Sequence, residues 1–556
     1  MASDASVDTF PDTVQRVHAP FGMGVPAGKG ASLPVFYAFL ILIPIPGGVG
    51  GGKILVFPED GSHWVNMQVI LRELHGRGHA LTVVRSVQSW YITENPALYA
   101  SVNVDPPPSE GFSAEMFAGL LRRSLQVQRM SSARHFLEQQ RDVAHTLRLI
   151  HAAVLQIISA ILEDSALTAR LRQERFDLLL TDPAFPAGVL LASYLDLPLV
   201  YNVRWINTGD AHMAIAPSPP SFVPVYNSFL PARMTLWQRV QNAVRYAASV
   251  LLERYVLVPV YDELIARHFP PGADLLSMQR RADIWLMRVD FVYDFPRPTM
   301  PNVVYIGGFQ CRPPRPLPDE LEAFVQSSGE HGIIVMSLGV LIATLPKDIT
   351  EAIAEAFAQL PQKVLWRYIG ERPSTLGNNT LLVDWLPQND LLGHPKTRAF
   401  VAHGGNNGMY EAIYHGVPVV ALPLLFDQFD NSLRLQVRGG ARVVSTATLT
   451  AAVFKDALED VMEDPSYREA MRRLSRLHRD QLVSPLDTAT FWIEYVMRNK
   501  GAAHLRPESW DMPWYVYHSV DVVLLLLALA CLTVAVPVVT CRALCRAVFK
   551  KKRKVE

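Results

Sequence analysis

Apolar residues fall in two rhythms along this chain. Lys53–Phe57, Ala80–Val84, Phe176–Thr181, Ile333–Ser337, Val364–Tyr368, Arg398–Ala402 and Val417–Leu422 are short, dense apolar runs closed by polar or glycine-rich turns. Such runs suit strands buried on both faces of a parallel sheet. Between them, apolar residues return every three to four positions from about Trp64 to His75, Asp348 to Gln359, Gly408 to His415 and Thr450 to Lys500, with longer amphipathic runs over 114–175 and about Thr235 to His268. These predict helices. Gly76 and Gly78 end the first of them, Asp164 and Ser165 break the long one, and Gly416 closes the helix before Val417. Strands alternating with helices predict an α/β fold with parallel sheets. At 556 residues the chain exceeds a single core. It divides at Cys311–Asp319, CRPPRPLPD, whose four prolines make a stiff linker between residues 53–310 and 320–505.

The pattern changes near the C-terminus. Val522–Cys541 is a run of 20 uncharged residues, the length that crosses a hydrocarbon core about 30 Å thick. Asp511 and Asp521 precede it, with Trp510, Trp514, Tyr515 and Tyr517 as an interfacial belt. The 52 basic and 52 acidic residues cancel overall, yet residues 542–556 hold seven basic residues against Glu556 alone. The positive-inside rule then puts the tail in the cytosol and the large body on the other side, a single-pass type I arrangement. That topological reason also accounts for the basic cluster without a nucleic-acid partner, and nothing outside the tail suggests one. Lys552 and Lys554 resemble a dilysine retrieval signal of endoplasmic reticulum membrane proteins.

Residues 1–52 read as an extension and signal peptide. Ala31–Pro46 is the hydrophobic region, Lys29 its positive flank and Gly47–Gly52 the small residues where a peptidase cuts; a start at Met23 gives a signal of more ordinary length. Of four cysteines only Cys311 lies in the body, which excludes an internal disulfide there, while Cys541 and Cys545 border the membrane in reach of acylation. One sequon, Asn378-Asn379-Thr380, makes Asn378 a glycosylation acceptor.

Two sets of residues carry candidate chemistry. His63 and Asp182 each stand just past a predicted strand of the first domain, at the carboxyl edge where open α/β sheets bind ligands. An imidazole takes a proton from a hydroxyl, and a carboxylate fixes its tautomer and stabilises the imidazolium. The second set spans Trp385 to Asn431. A strand, a tight turn over His403–Asn407 and a helix there offer free backbone N–H groups to phosphate. Asn407 and Glu411 share one helix face, placing a carboxylate for a ribose diol beneath that cradle. No GxGxxG occurs, so no nicotinamide cofactor is indicated, and no DxD triplet occurs to hold a cation at a diphosphate.

The segment WLPQNDLLGHPKTRAFVAHGGNNGMYEAIYHGVPVVALPLLFDQFDN resembles the signature of the animal UDP-glucuronosyltransferases, and the likeness runs from about Lys53 to the tail. The resemblance implies two Rossmann-like domains facing across a cleft (the GT-B type) and a C-terminal transmembrane helix; without a DxD triplet, no metal or other cofactor is expected. It places Trp385 on uracil, Gln388 on base and ribose, His403, Gly405 and Asn407 at the diphosphate, Glu411 on ribose, and Asp427 with Gln428 on the sugar hydroxyls. His63 and Asp182, in GSHW and LLTDP, match its catalytic pair. Asn406, Phe429 and Val340 depart from its commoner residues. The implied activity is inverting transfer of glucuronic acid from UDP-glucuronate to a hydroxyl of a small lipophilic acceptor, in the endoplasmic reticulum lumen. UDP-glucose, UDP-galactose or UDP-N-acetylglucosamine as donor stays open, as does a silent UDP-sugar-binding partner of related transferases; so does oligomer formation with itself or with them. Arg288, Arg297 and Arg398 are the cations offered for a sugar carboxylate.

Overall fold

The computed structural model describes residues 51–108, 113–130, 132–205, 211–340, 345–510 and 512–552. The expected signal region, Asp511 and the residues after Lys552 lie outside them.

Seven strands, β1 (Lys53–Phe57), β2 (Ala80–Ser86), β3 (Ala100–Val104), β4 (Leu178–Thr181), β5 (Leu199–Val203), β6 (Ile284–Met287) and β7 (Val303–Tyr305), make a first sheet in the order β3-β2-β1-β4-β5-β6-β7. Six more, β8 (Ile333–Ser337), β9 (Lys363–Arg367), β10 (Thr380–Val383), β11 (Thr397–Ala402), β12 (Val419–Ala421) and β13 (Ala441–Val443), make a second in the order β10-β9-β8-β11-β12-β13. Every pairing in both sheets is parallel. The strand order reverses direction between β1 and β4 in one sheet and between β8 and β11 in the other. Chain segments leaving neighbouring strands in opposite directions open a crevice at each of those points.

Both faces of each sheet are covered, which is why the strands read as unbroken apolar runs. On the first sheet, Val154, Ile158 and Ile161 of the long Ser132–Glu163 helix pack with Leu190 and Leu191 on one face. Trp64, Met67 and Ile70 of the Ser62–Gly76 helix pack on the other. Ile493 and Val496 join that second layer, so the helix Pro485–Asn499 crosses back from the second domain to the first. Arg77 Nη2 holds it there through Asp487 Oδ1 at 2.8 Å.

Three expectations shift in detail. The helix after β11 starts at Asn406 rather than Gly408, because Gly405 is extended (φ −64°, ψ 137°) and serves as its N-cap, so Asn406 and Asn407 occupy the first turn. The C-terminal apolar helix runs from Val520 to Lys552, past the expected 522–541 at both ends, and contains Pro537. Trp510 leaves the expected belt: its indole N–H donates to the Ile215 carbonyl at 3.2 Å and its ring packs on the first domain's core. Trp514, Tyr515 and Tyr517 remain exposed beside the helix.

Candidate functional site

The first crevice is built around two carboxylates and an imidazole. The loop from Pro58 to Gly61 leaves β1 and turns through Gly61 at φ 69°, a conformation that favours glycine. Asp60 pins this loop by accepting the N–H groups of Gly61 (2.7 Å), Trp90 (2.7 Å) and Tyr91 (3.0 Å). His63 follows in the first helical turn. Asp182 follows β4, with its Oδ1 taking the Ala184 N–H at 3.1 Å and its Oδ2 lying 2.6 Å from His63 Nδ1. Arg288, just past β6, reaches the same Oδ2 at 3.2 Å. Burial pushes the Asp182 carboxyl up, but the charges of His63 and Arg288 together hold it below its ordinary value. The aspartate is wholly buried, whereas the His63 side chain is 18% exposed. With Nδ1 engaged, Nε2 is the nitrogen left for a substrate.

The second crevice holds the glycine-rich turn. Gly404 sits at φ +90°, where a Cβ would lie 2.5 Å from the Gln428 carbonyl. Gly339 (φ +78°) and Gly405 flank the His403 ring so closely that a Cβ on either would come within 2.7 and 2.5 Å of it. Burial pushes His403 down to about 4, so near neutrality the ring is uncharged and offers hydrogen bonds rather than a charge. Glu411 accepts the Gln388 amide at 2.6 Å, and burial lifts its carboxyl to about 7. Trp385 is 59% exposed, an open ring face backed by the Arg367 guanidinium 5.6 Å from its centroid. Gln428 spends its carbonyl on the N–H groups of Leu424 and Leu425, both at 2.9 Å, which leaves its amide nitrogen for a ligand. Asp427 receives Asn431 Nδ2 at 2.8 Å and Arg204 Nε at 3.4 Å.

Both crevices open into one cavity of about 470 Å³. His63 lines it from the first domain; Trp385, Gln388, His403, Gly405, Asn407, Glu411, Asp427 and Gln428 line it from the second. Asp182 does not reach the wall and stands behind His63. From the first domain, Phe117, Leu120, Leu147, Ile150, Phe185 and Trp205 give the wall an apolar stretch. Hydrogen bonds cross between the domains: Asn66 Nδ2 donates to Asn407 Oδ1 at 3.2 Å, Asn406 Nδ2 to the Arg288 carbonyl at 3.3 Å, and Arg204 Nη2 to Asn431 Oδ1 at 2.7 Å.

Of the three arginines offered for a sugar carboxylate, only Arg288 lines this cavity, and it is committed to Asp182 and Asn66. Arg398 is exposed and bonds the Glu330 carbonyl; Arg297 bonds Ser218 Oγ at 2.6 Å beside a separate small cavity. Arg204 was missed, although it stands just past β5 and the strand-end rule that selects His63 and Asp182 selects it equally. Asn66 and Arg367 carry no comparable signal. Asn378 is exposed ahead of β10. Among the described residues no group of three or more metal-ligating side chains occurs.

Residues 52–555 match the family described as UDP-glucoronosyl and UDP-glucosyl transferase. UDP-glucuronosyltransferase 1A5 of Rattus norvegicus is 41% identical over 512 residues, 91% of this chain and 94% of the relative. UDP-glucuronosyltransferase 2A1 of Mus musculus is 41% identical over 485 residues, 86% and 91% of the two chains. Among solved structures, the glycotransferase of kitacinnamycin superposes with a TM-score of 0.53 at 18% identity, covering 80% of this chain and 99% of its own. The calicheamicin glycosyltransferase CalG4 gives 0.50 at 20%, covering 81% and 99%. The fold is therefore of the GT-B type. The chain belongs to the UDP-glucuronosyl and UDP-glucosyl transferase family and is a glycosyltransferase enzyme.

Proposed function

We propose that this protein moves glucuronic acid from UDP-glucuronate to a hydroxyl of a small lipophilic acceptor, with inversion at the anomeric carbon. The observation that carries the reading is His63 on the wall of the cavity shared with the proposed nucleotide-sugar residues, backed by Asp182 at 2.6 Å. His63 Nε2 takes the acceptor's O–H proton, the freed oxygen bonds the anomeric carbon, and the bond from that carbon to the uridine diphosphate oxygen breaks on the opposite face. Asp182 stabilises the imidazolium. Charge gathering on the departing phosphates meets the helix N-terminus after Gly405, with His403 and Asn407 beside it. Trp385 stacks the uracil, Gln388 and Glu411 hold base and ribose, and Asp427 with Gln428 hold the sugar. The names of the relatives favour glucuronate as donor, and the apolar acceptor wall favours a phenol or steroid. The C-terminal apolar helix supports a membrane anchor, and we place the body in the endoplasmic reticulum lumen.

The test is turnover of labelled UDP-glucuronate, UDP-glucose, UDP-galactose and UDP-N-acetylglucosamine with a simple phenol in microsomes bearing the wild type or His63→Ala. Loss of a general base lowers kcat by about 10²–10⁴. Equal signals from both proteins would favour a silent nucleotide-sugar-binding role, and glucuronate no better than glucose would remove the donor assignment.

A further inference from the structure

The loop after β1 carries two adjacent carboxyl groups with opposite surroundings. Asp60 is consumed by three backbone N–H groups. Glu59 faces the cavity on the acceptor side, and among the described residues no hydrogen bond or ion pair reaches its carboxyl. Burial, and then the negative charges of Asp182 and Asp60, push it well above the ordinary carboxyl range. The Tyr261 hydroxyl is held by His151 Nδ1 at 2.9 Å, and the Arg288 guanidinium by Asp182 and Asn66. No described residue neutralises Glu59.

A carboxyl desolvated without a partner costs stability, and such groups persist where a ligand completes them. Asp60 and Asp182 add negative potential at Glu59, and Phe117, Leu147, Ile150 and Phe185 line the same cavity, so an ammonium on an otherwise apolar ligand would complete the carboxylate. We propose that Glu59 selects acceptors that carry a basic nitrogen in addition to the hydroxyl presented to His63, forming an ammonium–carboxylate pair in the acceptor pocket. The inference rests on the transferase reading above and refines its acceptor class. A neutral amine reaches that pair by taking the Glu59 proton; an ammonium reaches it by displacing that proton to solvent. The hydroxyl proton still goes to His63, so the transfer chemistry is unchanged.

The experiment compares a phenol bearing a para dimethylaminoethyl chain with its carbon isostere, para-isopentylphenol, using full-length enzyme. With UDP affinity serving as the check on fold, Glu59→Gln and Glu59→Leu lower kcat/KM for the amine about tenfold or more and leave the isostere within about twofold. Calorimetry of the wild type in two buffers of different ionisation enthalpy gives a net release of protons on binding the ammonium form, and none on binding the isostere. Parallel changes for both phenols, no change for either, or absence of the amine-linked proton release overturns the inference while leaving the transferase reading intact. Turnover of neither phenol by the wild type overturns both.

Discussion

Asn66 and Asn407 lie 341 positions apart and share a hydrogen bond of 3.2 Å across the cleft. Asn66 is buried in the first domain's opening helix, and its carbonyl oxygen also receives Arg288 Nη1 at 3.2 Å. One amide therefore ties the cation behind the His63–Asp182 pair to the first turn of the helix after Gly405. Asn66→Ala removes both bonds. Only the bond to Asn407 reaches the donor half, and at about 0.5–1.5 kcal/mol for that bond donor KM rises roughly two- to tenfold. Steady-state kinetics with varied UDP-sugar check this, and an unchanged donor KM would show that the bridge plays no part in cleft geometry.

If Glu411 holds the ribose, donor binding is sensitive to pH. Its carboxyl titrates near 7 because it is buried, and a ribose diol donates to the carboxylate, so UDP binding weakens as pH falls through about 7. The stability consequence runs the other way. A carboxyl whose folded value is raised above its unfolded one adds stability at low pH, and that contribution fades as pH climbs through about 7. Titrating UDP affinity between acid and mild base measures the first effect. Glu411→Gln flattens the profile, and an unaltered profile in that variant would assign the dependence to another group.

The architecture was legible because parallel strands buried on both faces leave apolar runs, and glycines punctuate the helices between them. The strand-end residues His63 and Asp182 were legible by the same logic, since a ligand crevice opens where strand order reverses. Helix starts were less so. Asn406 and Asn407 look like turn residues by composition, yet the extended Gly405 caps a helix that includes both. Residues that act across the cleft were the least visible. Asn66 and Glu59 are ordinary polar residues in sequence, and what distinguishes them is a partner on the other domain or the lack of a partner among the described residues. Trp510 shows the converse, an aromatic whose place in a belt was plausible by position but which packs on the body instead.

Trp385 presents an open face to the cavity rather than filling the core. Stacking of a base on an aromatic ring is worth about 1–3 kcal/mol. Trp385→Ala therefore weakens UDP binding by roughly ten- to hundredfold while thermal stability changes little, because an exposed ring contributes little packing. Calorimetric titration with UDP and a melting curve on the same sample separate the two effects. A large drop in melting temperature would identify the ring as structural.

Leaving-group stabilisation is the step most open to a cation, and the residues assigned to it are uncharged or backbone. His403 is held neutral near pH 7 by burial, and the first helical turn at Asn406 and Asn407 contributes N–H groups with the partial positive end of the helix. The sequence contains no DxD triplet to bind a divalent ion at the diphosphate. If these groups carry the charge, chelation leaves turnover within about twofold, and removing one such hydrogen-bonding group, as in His403→Ala, lowers kcat by about 10²–10³. Purified enzyme assayed with and without EDTA gives the first value and the variant gives the second. A strict requirement for Mn²⁺, restored on adding it back, would mean that a metal bears the charge on the departing uridine diphosphate instead.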